Sequence, residues 1–260
     1  MKIGIEARLK MKEKAGIGHY TFYLYKYLRK IPGLEVTLYD DDFFTSDSED
    51  FTAVSNLAVR KLRYLLWLNT SFPGILEEQG MDVVHAPNFI PPFRGKTARV
   101  ATFHDMGFIR YPGTHHGLYA LVFPSLVNKA VNACSRIIVP SRSSRDETLK
   151  YFPRAKEKLR VIYEAAEECF RIIDDKVVLD GIRSKFKLPD QFILCVGTLE
   201  PRKNLERFFR AFGLFLDRNP SSPLRLVLCG KSWLRHDKFM QELRSSSIAS
   251  RRDRKSTRLN

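Results

Sequence analysis

Apolar positions along the chain alternate between two periods. Lys2 to Ile5 is a short apolar run, followed by a loop holding Gly16-Ile17-Gly18 and by Tyr20 to Leu28 at helical spacing. Leu34 to Leu38 then reads as a second strand, so the chain opens as strand, glycine loop, helix, strand, the start of a doubly wound sheet. Asp40 to Asp50 is a polar loop, Leu62 to Leu76 a helix, and Asp82-Val83-Val84-His85 and Arg99 to Phe103 are buried strands. Gly107 to Gly117 reads as an aromatic-rich loop, Leu118 to Cys134 as a helix, and Arg136 to Val139 as a strand closed by Pro140-Ser141. Ser141 is placed to cap a helix over Ser143 to Tyr151, because a hydroxyl there can accept from the free first-turn amides. Leu159 to Tyr163 is the next strand.

From Glu164 to Asp175 apolar periodicity lapses, and beyond it the alternation restarts. Val177 to Phe186 and Leu205 to Leu216 are helical; Phe192 to Val196 and Leu224 to Leu228 read as buried strands ending in Gly197 and Gly230. Repeated strand and helix alternation predicts an α/β chain of two doubly wound parallel-sheet domains with helices on both faces. The expected bounds are 1–168 and 169–250. The second domain shows two clear strands where an open doubly wound sheet normally has about five or six, so it reads as incomplete.

Composition narrows this picture. A hydrophobic content of 44% with 28% charged residues predicts a packed core over 260 residues. The net charge of +15 admits nucleic acid, an anionic membrane or phosphorylated small molecules as partners. Cys134, Cys169, Cys195 and Cys229 form no CxxC pair and read as free thiols of a reducing compartment. The start is charged too soon for a signal peptide, and no apolar run is long enough to span a bilayer. The expected location is cytoplasmic, with peripheral contact at the inner membrane face left open.

Several segments can carry chemistry. Gly16 and Gly18 would let backbone amides approach a phosphate at a helix start; Thr21 stands where a third fingerprint glycine belongs, and the pattern alone favours a tight turn. His104, with Asp105, ends a buried strand, where open α/β sheets bind ligands. An imidazole there either meets sugar hydroxyls or is satisfied by neighbouring backbone. Thr198-Leu199-Glu200-Pro201-Arg202-Lys203-Asn204 follows a strand and opens a helix. The helix dipole disfavours Arg202 and Lys203 at that end unless an anion arrives, which points to diphosphate binding over a solvated basic turn. Gly230 and Lys231 end the next strand and could line the same nucleotide site, or form an ordinary turn. Asp40-Asp41-Asp42 reads as a solvated acidic loop, and the side chains of His115-His116 diverge, so no metal site is expected. No zinc pattern, RNA-recognition signature or aromatic stacking ladder is visible, which argues against nucleic acid.

The last eight residues, Asp253 to Asn260, can be back-translated as GAT CGG AAG AGC ACA CGT CTG AAC, a string resembling a widely used sequencing-adapter read. Residues 251–260 are therefore expected to be a non-native tail and are set apart from functional reasoning.

Taken in order, Gly16-Ile17-Gly18, Val83-Val84-His85-Ala86-Pro87-Asn88, Thr102-Phe103-His104-Asp105, Ile138-Val139-Pro140-Ser141-Arg142-Ser143 and Val196-Gly197-Thr198-Leu199-Glu200-Pro201-Arg202-Lys203-Asn204-Leu205 resemble the family-4 glycosyltransferases, especially bacterial mannosyltransferases. The resemblance implies a GT-B fold and retaining, metal-independent transfer of a sugar, mannose among the candidates, from a nucleotide-diphosphate donor to a glycan or lipid-linked acceptor. It implies no cofactor beyond that donor substrate. By the same resemblance Arg202 and Lys203 bind the donor diphosphate, Gly16 and Gly18 lie on the phosphate side, Gly230 and Lys231 approach the nucleotide, and His104 meets the transferred sugar. Thr198 stands where many relatives carry arginine. The family's later pair of glutamates, with seven residues between them, has no match after Lys231, so this chain is expected to be an inactive fragment. The alternative reading is a non-catalytic Rossmann-like protein that holds a nucleotide or nucleic acid.

Overall fold

In the computed structural model the chain divides into two compact units, Met1–Ala165 and Ala166–Asn260. Residues 1–7, 16–40, 57–111, 117–197 and 203–230 are described. Arg202, Lys231, Asp41, Asp42, His115, His116 and the 251–260 tail lie outside them.

The first unit is built on strands β1 (Lys2–Glu6), β2 (Glu35–Tyr39), β3 (Val83–Ala86), β4 (Ala98–Thr102), β5 (Arg136–Val139) and β6 (Leu159–Val161), in the spatial order β2-β1-β3-β4-β5-β6. Every pairing is parallel, with Ile3 opposite both Val36 and Val83, and Ala101 opposite Ile137. The connections are helices α1 (Gly16–Leu28), α2 (Leu57–Glu78), α3 (Gly107–Arg110), α4 (Gly117–Ala133) and α5 (Arg142–Tyr151). Parallel neighbours demand such crossovers, and covering both sheet faces explains the near-continuous apolar strands. Val84, Ala101, Ile137 and Val139 are fully buried in one core with Leu68, Phe72 and Leu76 of α2 and Val127 and Val131 of α4. Gly4 is required by packing: a Cβ there would stand 2.7 Å from the Tyr39 ring and 3.2 Å from Leu76.

Three local expectations change. Helix α1 begins at Gly16, so the glycine pair lies in its first turn and not in a preceding loop. Helix α2 runs from Leu57 through Pro73 to Glu78, beyond the Leu62–Leu76 stretch. Within the stretch read as a loop, Gly107–Arg110 forms one helical turn, because the Asp105 carboxylate accepts from the Gly107 amide at 2.8 Å and Phe108 is buried.

In the second unit, α6 (Lys176–Phe186) is capped by Asp175, whose carboxylate accepts from Val177 and Val178. It buries none of its residues. Strands β7 (Phe192–Val196) and β8 (Arg225–Cys229) pair in parallel and are joined by α7 (Leu205–Arg218). Phe209, Phe212 and Leu216 of α7 pack on Leu226, with Cys195 and Leu228 beside them. The expectation that Cys195 and Cys229 sit in buried strands is corrected: both are partly exposed, since α7 covers one face of this sheet while Leu194 and Val196 face outward.

Candidate functional site

Strand order places a switch point in the first unit: β2 lies on one side of β1, while β3 and its successors lie on the other. Ligands of open α/β sheets bind outside the carboxyl ends of the strands at such a point. Buried polar side chains collect there. Glu6 ends β1, His85 lies on β3 and Thr102 ends β4, all buried. The Thr102 hydroxyl stands 2.8 Å from His85 Nε2 and 2.9 Å from the Tyr20 hydroxyl of α1. Burial pushes the His85 imidazole down to about 4, with the nearby His104 adding to the shift. Burial also raises the Tyr20 phenol; its bond to Thr102 opposes this and the Glu164 carboxylate reinforces it. A neutral imidazole, a hydroxyl and a phenol thus form one relay of hydrogen bonds from β3 to α1.

His104 sits above that relay. The amide before it, Phe103 N, donates to Ile138 O at 2.8 Å, and its own carbonyl accepts from Ser144 Oγ at 2.7 Å. Ser144 is in turn fixed by the α5 cap, where Ser141 Oγ accepts from Ser144 N at 3.0 Å. The His104 Nε2 lies 2.9 Å from Pro87 O. A carbonyl only accepts, so Nε2 carries the proton of that bond. The other ring nitrogen, Nδ1, faces Glu164 Oε1 at 3.4 Å, and the Tyr20 ring meets the imidazole edge-to-face at 4.9 Å. A backbone carbonyl and a carboxylate thus face the two ring nitrogens of one strand-end histidine. Glu164, Tyr20 and His104 converge from the segment after β6, from α1 and from the segment after β4, a set of donors and acceptors suited to polyhydroxylated ligands.

Sequence reasoning singled out His104 and quoted Val84-His85 and Thr102 within longer segments, but it assigned no role to Tyr20, His85, Thr102 or Glu164. Tyr20 and Thr102 are 82 positions apart, and only the strand order brings them together. Gly18 is buried in the first turn of α1 and Gly16 is exposed there, with open space where its Cβ would be.

In the second unit, α7 starts at the carboxyl end of the β7 crossover. Its N-cap residue, Asn204, adopts a left-handed conformation (φ 53°, ψ 33°) and makes no side-chain capping bond. Among the described residues, the first-turn amides of Leu205, Glu206 and Arg207 thus receive no capping bond from the Asn204 side chain, where a serine or aspartate would supply an acceptor. Lys203, just before the cap, is exposed. Gly197 and Gly230 end β7 and β8 in backbone contact: a Cβ on Gly230 (φ +150°) would stand 1.9 Å from Gly197 O. This position therefore needs glycine for the close approach of two strand ends. Among the described residues no group of three or more His, Cys, Asp or Glu could hold a metal ion, and no helix is long and apolar enough to cross a membrane.

Over 79 residues the chain is 34% identical to the serotype-specific mannosyltransferase WbdA of Escherichia coli, a match covering 30% of this chain and 10% of WbdA. It is 23% identical to the O-antigen chain mannosyltransferase RfbU of Salmonella typhimurium over 85% of this chain and 60% of RfbU. The chain thus spans less than two thirds of the length of these curated relatives. Among solved structures, Anabaena HepE in complex with UDP superposes with a TM-score of 0.65 at 16% identity, covering 100% of this chain and 70% of HepE. This likeness makes the fold that of the GT-B glycosyltransferases. The model of Glycosyltransferase Family 4 matches residues 15–166, which include α1, the Tyr20–Thr102–His85 relay and His104, and the chain belongs to that family.

Proposed function

We propose that the protein is a glycosyltransferase that moves a sugar, mannose being the candidate favoured by the named relatives, from a nucleotide-diphosphate sugar to a glycan or lipid-linked acceptor. Transfer proceeds with retention and without a bound metal. Arg202 and Lys203 hold the diphosphate together with the first-turn amides of α7, and neutralise the charge that grows on the leaving group. Gly16 and Gly18 open the first turn of α1 on the phosphate side, Gly230 and Lys231 approach the nucleotide, and His104 contacts the transferred sugar. The protein works in the cytoplasm, and its basic surface meets the anionic inner face of a membrane.

The observation that carries this reading is the start of α7: an uncapped helix N-terminus directly after Lys203, in a member of a glycosyltransferase family. Calorimetric titration with GDP-mannose, UDP-glucose and the corresponding nucleoside monophosphates tests this. Diphosphate sugars should bind at least ~10-fold more tightly than monophosphates, and Lys203→Ala should weaken binding about 100-fold, the effect of losing one well-placed charged donor. Equal affinity for monophosphates, or indifference to Lys203→Ala, overturns the assignment.

A further inference from the structure

Glu164 stands just past the end of β6, and its side chain is 51% exposed. Its Oε1 lies 3.4 Å from His104 Nδ1. Among the described residues no lysine or arginine comes within ion-pair distance of this carboxylate, and Oε2 makes no hydrogen bond. Burial raises the Tyr20 phenol, and the Glu164 charge adds to that rise, so the carboxylate is felt at the relay as well as at His104. The imidazole is held at its other nitrogen by Pro87 O, 2.9 Å from Nε2. Pro87 leads into a tight turn, in which Asn88 O accepts from Ile90 N at 2.7 Å. Phe89, at the centre of that turn, has φ 64°, a left-handed conformation that phenylalanine rarely adopts. Its amide donates to Thr102 O at 3.1 Å, and its buried ring meets Phe103, Phe108 and Phe123 at 4.9, 5.4 and 5.7 Å. Such strain persists where surrounding contacts over-determine the backbone, and it gathers at functional sites. The turn fixes the carbonyl, and the carbonyl and Glu164 together fix the ring.

Two properties of this carboxylate select a ligand. An ionised carboxylate only accepts, so a half-exposed one offers its oxygen to a ligand that donates, and a sugar hydroxyl is such a donor. A carboxylate that no lysine or arginine neutralises also repels a second negative charge placed beside it. The chain as a whole carries +15, so long-range attraction would admit an anionic sugar as readily as a neutral one. Rejection of the anionic sugar has to come from a charge at the site itself. We propose that Glu164 determines which sugar is accepted: its carboxylate takes hydrogen bonds from the hydroxyls of a neutral hexose, holds His104 toward that same sugar, and turns away a uronic acid. This rests on the proposed contact between His104 and the transferred sugar and names the residue that selects the sugar.

Calorimetric titration of the full 260-residue chain tests the proposal with two ligand sets: GDP, GDP-mannose and GDP-mannuronate, and UDP, UDP-glucose and UDP-glucuronate. In the set whose free diphosphate binds, the neutral nucleotide sugar should bind about tenfold more tightly than the uronate. Glu164→Gln keeps the shape, removes the charge and should bring that ratio to within about twofold. Glu164→Asp keeps the charge and should retain most of the preference. Lys203→Ala should weaken every member of a set together and leave the ratio near its original value, because it acts on the diphosphate they share. Thermal melts accompany each variant, and the ratio in the unsubstituted chain needs no variant at all. Failure of both GDP and UDP to bind overturns the donor reading, and this inference with it. If a diphosphate binds, equal affinity for neutral sugar and uronate in the unsubstituted chain overturns the role of Glu164 alone. So does a preference that survives intact in Glu164→Gln.

Discussion

Strands β5 and β7 have similar sequences and different fates. Arg136-Ile137-Ile138-Val139 and Phe192-Ile193-Leu194-Cys195-Val196 are both short, β-branched and apolar. In β5, Ile137 and Val139 are 0% exposed; in β7, Leu194 is 52% and Val196 is 73% exposed. The difference lies in what surrounds them. β5 sits inside a six-stranded sheet with strands on both sides, whereas β7 pairs with β8 in a two-stranded sheet whose small core forms around α7. An apolar run thus specifies a strand but not its burial, which depends on both faces being covered. The chemistry divides along the same line. In the first unit, burial fixes polar groups such as His85 and Thr102 in a defined relay. In the second, Lys203, proposed to hold the donor, is exposed beside the uncapped start of α7.

Four substitutions or conditions probe this contrast, the largest effect first. Ile137→Ala should cost about 2–5 kcal/mol, the usual range for truncating a buried aliphatic side chain, measured by urea denaturation. A smaller loss would mean that β5 is not held as tightly as its burial implies. Next comes acid. The His85 imidazole is depressed to about 4 from an ordinary value of 6.5, so the unfolded chain binds the proton more readily. Stability is unaffected above about pH 6.5, falls as pH drops through that value, and by pH 4 has lost on the order of 3 kcal/mol from this group. His85→Gln should flatten the slope between those limits; an unchanged slope would assign the acid sensitivity to other groups. Gly4→Ala should cost about 1–3 kcal/mol, because the new methyl meets the buried Tyr39 ring. Val196→Ala, on the outward face of β7, should change stability by no more than ~0.5 kcal/mol, and a cost near that of Ile137→Ala would show that this face is covered.

Much of the first unit was legible in the sequence, because each strand is a compact apolar run and each helix carries a stripe. Ser141 could be identified as a cap from its hydroxyl and position alone, and it does cap α5. His104 was legible as a strand-end histidine. Its surroundings were not: Tyr20 looked like one apolar position among several on α1, and Glu164 belonged to a stretch without pattern. Their convergence depends on the order β1-β3-β4 and on the path of β6, which no local spacing encodes. The row of rings that His19, Tyr23 and Tyr27 form on α1 was concealed for a different reason. Its members are interspersed with other residues along α1, and helical registration alone lines them up. Gly230 was readable as a strand end, whereas its contact with Gly197 emerges only from the pairing of β7 with β8.

The most direct test of the central claim is hydrogen–deuterium exchange of the chain with and without GDP-mannose or UDP-glucose, read at the start of α7. The account predicts that the amides of Leu205, Glu206 and Arg207 become protected on adding a nucleotide-diphosphate sugar, and that Lys203→Ala removes the protection. Unchanged exchange at these amides, with protection confined to other segments, would contradict it.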